Sequence, residues 1–313
     1  GMLNILGSDD PEAQIRLKIF QQALQQLGWN VGRDLKIENR QVGGDIDRLR
    51  RYATELAALT PDVIVSIGSV AVGAVQQATR TIPIVFVNVP DPVGAGFVQN
   101  MAHPGGNTTG FSNFEYSMSA KWAELLKQAA PGIRRALVLR DPSSAAGIGQ
   151  FASVRSVAQS LGIELTPLGV RDQAEIERGI AAFARAGDGG VIVTAGGTAA
   201  HRKLIIDLVA SYKLPTVYPY RYYAIDGGLI VYGAGELSIV NATITDNHAD
   251  ATGDGIAGFA GGVENVGNAT ITMHNTILAG NSAANAMFPD VLGSVGGTTT
   301  NPSSYNILGV QHS

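Results

Sequence analysis

Short apolar runs recur along the first 233 residues, and each is followed by a stretch of helical periodicity. The runs are Leu3–Leu6, Leu35–Ile37, Val63–Val65 and Ile84–Val89, then Ala136–Leu139, Ile163–Leu165, Val191–Val193 and Thr216–Tyr218. Runs of this length bounded by turn residues read as buried strands. Their starts near 3, 35, 63 and 84 return near 136, 163, 191 and 216, an offset of roughly 130 residues. Strand and helix alternating at this spacing mean parallel sheets covered on both faces. Two such units in tandem mean two similar lobes with a cleft between them.

Helix signals fall where this grammar needs them. Pro11 opens a helix whose apolar positions Ile15, Ile19, Ala23 and Leu27 recur every four residues before Gly28. Asp45 caps a helix that turns Leu49, Ala53 and Leu56 inward. Asp172 and Glu175 form a capping-box-like start for a helix with Ile176, Ile180 and Phe183 inside. Trp122, Leu125 and Ala129 mark the helix over 116–129, and Leu204, Ile205, Leu208 and Tyr212 the one after Thr198. Between them, Ile84–Val89 breaks at Pro90-Asp91-Pro92, and Thr108–Phe111 is a short extended piece that leads into the second unit. The carboxyl ends of such strands are where open α/β sheets hold ligands.

The pattern stops at Tyr232-Gly233. Beyond it Asn, Thr, Gly and Ala dominate, and NATITDNHA (241–249) resembles NTILAGNSA (275–283). Short strands with recurring turn residues suggest a β-solenoid, although 80 residues leave room for few coils. The expected architecture is α/β: two doubly wound lobes, 1–110 and 111–233, and a Gly/Asn-rich solenoid-like tail, 234–313.

Composition narrows the function by exclusion. A net charge of −4 and unclustered Lys/Arg give no footprint for nucleic acid. There is no cysteine, and the five histidines lie far apart, without metal-ligand spacing. The first ten residues have neither the basic nor the long apolar region of a signal peptide. No Ser/His/Asp order, HExxH, P-loop or paired-carboxylate motif supports an enzyme, and Thr194–Thr198 is neither a Walker A loop nor GxGxxG.

Six ordered motifs carry a resemblance: QQLGW (25–29), PDVIVSIGS (61–69), IPIVFVNVPDPVGAGFV (82–98), HPGGNTTGFSNFE (103–115), RDQAEIERGI (171–180) and LPTVYPYRYYAIDGGLIVYG (214–233). Over about residues 3–233 the chain resembles ABC-transporter substrate-binding proteins of the tryptophan/tyrosine-binding type. The resemblance implies two lobes closing on an amino acid or similar small molecule and delivery to an ABC permease. It implies no chemistry on the ligand, no cofactor, a monomer, and a periplasmic or lipid-anchored location. The last 80 residues depart from that family and resemble parallel β-helix repeats of bacterial surface proteins. Such a junction implies uncovered apolar faces on the first lobe. A ligand-sensing regulator and a surface adhesin are the competing readings.

Topology and resemblance converge on the same candidate contacts. They are Ser8, Asp9, Ser69 and Asp91 in the first lobe, Asn113 past the crossing, and Ser143, Thr198, Tyr220 and Tyr222 in the second. Ser69, with the free N–H groups of its helix, suits a carboxylate, or serves only as a helix cap. Asp91 suits an ammonium, or serves only its turn between two prolines. The tyrosines suit the flank of an apolar side chain, or form half-buried lobe surface.

Overall fold

A computed structural model describes residues 1–233 throughout and, beyond them, only the backbone of short strands. The first sheet contains β1 (Met2–Asn4), β2 (Asn39–Gln41), β3 (Ile64–Ile67), β4 (Ile84–Val89) and β5 (Thr108–Ser112) in the order β2-β1-β3-β4-β5, every pair parallel. Helices α1 (Pro11–Gln26), α2 (Ile46–Ala58) and α3 (Ser69–Ala78) connect its first four strands.

The second sheet repeats that order. Its strands β6 (Arg135–Arg140), β7 (Glu164–Gly169), β8 (Gly189–Val193), β9 (Thr216–Tyr218) and β10 (Ile230–Gly233) run β7-β6-β8-β9-β10, all parallel. Their connections are α5 (Ala145–Ala158), α6 (Gln173–Ala184), α7 (Arg202–Ser211) and the short α8 (Arg221–Ile225), while α4 (Ala120–Ala129) leads in from β5. Strand β11 (Glu236–Val240) then pairs antiparallel with β10. Most of 234–313, where the solenoid is expected, lies outside the described residues.

The duplication read from strand spacing is therefore a duplication of strand order. In a 2-1-3-4-5 sheet the connections leave in opposite directions on either side of the first strand, so a crevice opens between the first and third strands. In this chain the crevices lie after β1 and β3, and after β6 and β8. They face one another.

Caps behave as their residue types dictate. Asp45 Oδ1 accepts the Arg48 N–H at 2.9 Å, and Asp172 Oδ1 accepts the Glu175 N–H at 2.7 Å. Replacing Asp172 with Ala should cost about 1 kcal/mol, as cap losses do, measurable as a lower urea midpoint with an unchanged slope. Leu49, Ala53 and Leu56 are buried in the first lobe, and Ile176, Ile180 and Phe183 in the second.

Three readings change. The second strand lies at Asn39–Gln41 and not at Leu35–Ile37, where Leu35 makes only an isolated bridge to Val31. Helix α4 buries Trp122, Ala123 and Leu126 in place of Leu125 and Ala129. Helix α1 turns the apolar stripe read from its sequence outward: Ile15 and Ile19 are more than half exposed and Leu27 is 76% exposed. The face it turns inward carries Ala13, Arg16, Leu17, Phe20 and Leu24, of which only Ala13 is fully buried. Two apolar stripes share this helix, and four-residue spacing does not say which one packs.

Candidate functional site

The lobes touch along the two crevices. Ile5, Leu6 and Ala13 of the first lobe belong to the same apolar cluster as Trp122, Tyr220 and Tyr222 of the second. At Gly44, where φ is 86°, an added β-carbon would come within 2.9 Å of Ala200 Cβ, so glycine permits both the turn and the approach. An ion pair joins the lobes: Arg202 binds Asp10, which also caps α1 through the Glu12 and Ala13 N–H groups, and binds Asp226. Burial opposes the Arg202 charge, but its hydrogen bonds to Asp10 and Asp226 outweigh it and hold the pKa above the ordinary value.

At the centre lies a small space of about 20 Å³, room for about one water. Asn4, Arg16, Ser69, Asn88, Tyr220 and Tyr222 provide its polar lining. A wider opening of about 540 Å³ lies between Asp45, Asp47 and Arg50 of the first lobe and Asp141, Ser143 and Arg171 of the second.

Each lining group is held by its neighbours. Gly68, with φ at 91°, takes the cap position of α3, leaving Ser69 as the first helical residue. The expected cap by Ser69 is therefore not made: its hydroxyl is 3% exposed and has no partner among the described residues. Asn88 and Asp91 adopt left-handed backbone, with φ of 57° and 42°, on either side of Pro90. Asn and Asp are the side chains that tolerate this region best. Asn113 Nδ2 bridges across, donating to Asn88 Oδ1 at 2.8 Å and to the Tyr220 hydroxyl at 3.2 Å.

The aromatic side of the cleft is a stack. Tyr222 lies between Tyr220 and Tyr223, with centroids 5.2 and 5.1 Å away and planes within 25°. The guanidinium groups of Arg16 and Arg202 lie 5.5 and 5.4 Å from the Tyr222 ring. Burial pushes the Tyr220 phenol up to about 12, against the Asn113 hydrogen bond and Arg16, so it is a neutral donor near pH 7. Burial raises Tyr222 as well.

Of the sequence candidates, Ser69, Tyr220 and Tyr222 meet at the centre, and Asn113 holds two of the groups there. Ser143 stands at the wider opening, its hydroxyl and N–H both directed to Asp141 Oδ1. Thr198 is buried one layer behind, bonded to the Thr194 carbonyl and 3.2 Å from the Tyr223 hydroxyl. Ser8 and Asp9 are exposed and outside the central lining. Asp91 serves its own turn, accepting N–H groups from Gly94 at 2.7 Å and Tyr116 at 3.4 Å. Sequence reasoning missed Asn4, Arg16 and Asn88, and the linking pair Asp10–Arg202. The signal for Arg16 was its position three residues after Ala13, on the inward stripe of α1.

Two sheets of one strand order, with facing switch points and an aromatic and polar lining, define a two-lobed solute-binding architecture. Residues 9–245 match the family described as ABC transporter substrate binding protein. The chain belongs to that family. It is 27% identical over 175 residues to the tyrosine-binding protein of Clostridioides difficile strain R20291, an alignment covering 56% of this chain and 50% of that protein. The chain thus spans about half the length of this curated relative. Its fold is similar to a conserved domain protein from Vibrio cholerae O1 biovar El Tor, with 25% identity, a TM-score of 0.65, and coverage of 74% of this chain and 76% of that one. It is also similar to an ABC domain from Streptococcus pneumoniae solved with L-Trp, at 23% identity and a TM-score of 0.65 over 74% of this chain and 77% of that one.

Proposed function

We propose that this chain binds one small organic solute, an amino acid or a similar molecule, between its lobes and hands it to an ABC-type importer. Residues 1–110 and 111–233 are the closing units in this reading. The observation that carries it is the central lining itself, where both crevices contribute polar groups to one aromatic-walled space. A space of about 20 Å³ is far below the roughly 300 Å³ at which small-molecule pockets begin, so binding requires the lobes to part and close again. The chemistry is binding and release. Delivery to an importer places the protein outside the cytoplasmic membrane, and among the described residues no helix is long and apolar enough to cross a membrane.

A thermal-shift screen against amino acids and small organic acids tests this. A ligand at 100 times its Kd adds about 2.7 kcal/mol of stability, which for a chain of this size is several degrees in Tm. A flat response across the panel, followed by no heat on titration at millimolar solute, would sink the reading.

A further inference from the structure

The polar groups around the central space leave several donors over. The assignment starts from a backbone group. The Phe114 N–H donates to Asn113 Oδ1 at 3.1 Å, which fixes the Asn113 amide with Nδ2 toward Asn88 and Tyr220. Asn88 Oδ1 is thereby engaged, and its Nδ2 has no acceptor among the described residues. The Tyr220 oxygen accepts from Asn113, which frees its proton to donate elsewhere. On the other side, the Leu6 N–H donates to Asn4 Oδ1 at 3.0 Å and turns that amide's NH₂ away from its own backbone.

Ser69 adds a buried hydroxyl without a partner among the described residues, beside the open N–H groups of the first turn of α3. Arg16 gives Nε to Glu12 at 2.8 Å, and its terminal nitrogens have no hydrogen-bond partner among the described residues. Among the described residues no carboxylate lines the centre. Those nearby are taken: Glu12 by Arg16, Asp10 and Asp226 by Arg202, and Asp91 by its turn. The Tyr222 ring, stacked between Tyr220 and Tyr223, already has two guanidinium groups against it.

We infer that the solute taken here is an organic acid, a carboxylate on a flat apolar body, without the ammonium of an amino acid. This inference rests on the solute-binding reading and narrows it. A carboxylate accepts about four hydrogen bonds and gives none, which matches Ser69, the α3 N–H groups, Asn88 Nδ2 and Arg16. An ammonium carries three donors and no acceptor. Among these groups it would meet hydroxyl oxygens but no carboxylate to balance its charge, and it would lie close to Arg16, the costly arrangement for a buried charge. The flat body lies along the tyrosine stack, where offset stacking adds to burial.

The test is calorimetric titration of the full chain with pairs that differ only by the ammonium. Suitable pairs are 3-phenylpropanoate and phenylalanine, 3-(4-hydroxyphenyl)propanoate and tyrosine, and indole-3-propanoate and tryptophan; phenethylamine serves as the cation without the acid. At least one acid should bind tenfold or more tighter than its amino acid, and the amine should give no heat. Arg16→Met and Ser69→Ala should each weaken that acid tenfold or more. An amino acid that binds as tightly as its acid, or unchanged acid affinity in both variants, overturns the inference. So does a wider panel in which only a non-carboxylate solute binds, an outcome that leaves the solute-binding reading standing. If nothing binds, both fall.

Discussion

Replacing Arg202 with methionine should destabilise the protein by about 3–5 kcal/mol, the cost of removing one partner from a buried ion pair. Arg202 is 8% exposed and serves two carboxylates at once, Asp10 in the first lobe and Asp226 in the second. Methionine keeps much of the volume against Tyr222 and deletes the charge. Asp10 keeps its cap bonds to the Glu12 and Ala13 N–H groups, whereas Asp226 is left without its cation. Urea unfolding should show the loss, and small-angle scattering should show a larger radius of gyration where lobe contact weakens. The double variant Asp10→Asn/Arg202→Met separates the contributions. Recovery of 1 kcal/mol or more relative to the sum of the single changes identifies direct coupling; strict additivity would remove Asp10 from the account.

The second large effect is expected at Gly147. This residue is buried in the first turn of α5, and a β-carbon there would collide with the Asp141 carbonyl oxygen. That oxygen belongs to the backbone and cannot swing aside. Gly147→Ala should therefore cost about 3 kcal/mol, the upper end of ordinary overpacking, and lower Tm by roughly 6–12 °C in a chain of this size. Asp141 also holds the Ser143 hydroxyl and N–H at the wider opening, so solute affinity should fall with stability. A variant with wild-type Tm would mean that the α5 start shifts freely, contrary to its close seat on the end of β6.

Where sequence and structure agree, the deciding physics is local. Buried parallel strands are apolar on both faces, so Ile84–Val89 and Ala136–Leu139 stand out without any partner being known. Asp45 and Asp172 cap because their carboxylates reach N–H groups three residues on. The repeat of strand spacing carried the duplicated strand order with it. What escaped was long-range. Asn88 looks like an ordinary strand residue until Asn113, 25 positions later, occupies its oxygen. Asp10 meets Arg202 across 192 residues, and no pattern in either neighbourhood announces the other. From sequence Asp91 suits an ammonium or only its own turn, and the bonds that decide come from Gly94 in that turn and from Tyr116 beyond the crossing. On α1 the difference is one of phase: Ile15 and Ile19 outrank Ala13 in hydrophobicity, yet the stripe that carries Ala13 is the one that turns inward.

The aromatic residues also form a connected path. Trp122 meets Phe114 edge to face at 6.1 Å, Phe114 lies 6.0 Å from Tyr220, and the stack continues through Tyr222 and Tyr223 to Tyr218, each step close to 5 Å. Of the two tryptophans in the chain, Trp122 is wholly buried and bonded through Nε1 to the Tyr232 carbonyl, while Trp29 is 51% exposed. Ultraviolet light absorbed by the cleft tyrosines will therefore drain by resonance transfer into Trp122, which emits at the blue end of the indole range. Trp29 emits to the red and is open to quenchers. Donors and acceptor all belong to the second lobe: iodide removes the red component, and what remains reports the packing of the tyrosine wall on the core of that lobe, a signal that holds constant while the lobes part.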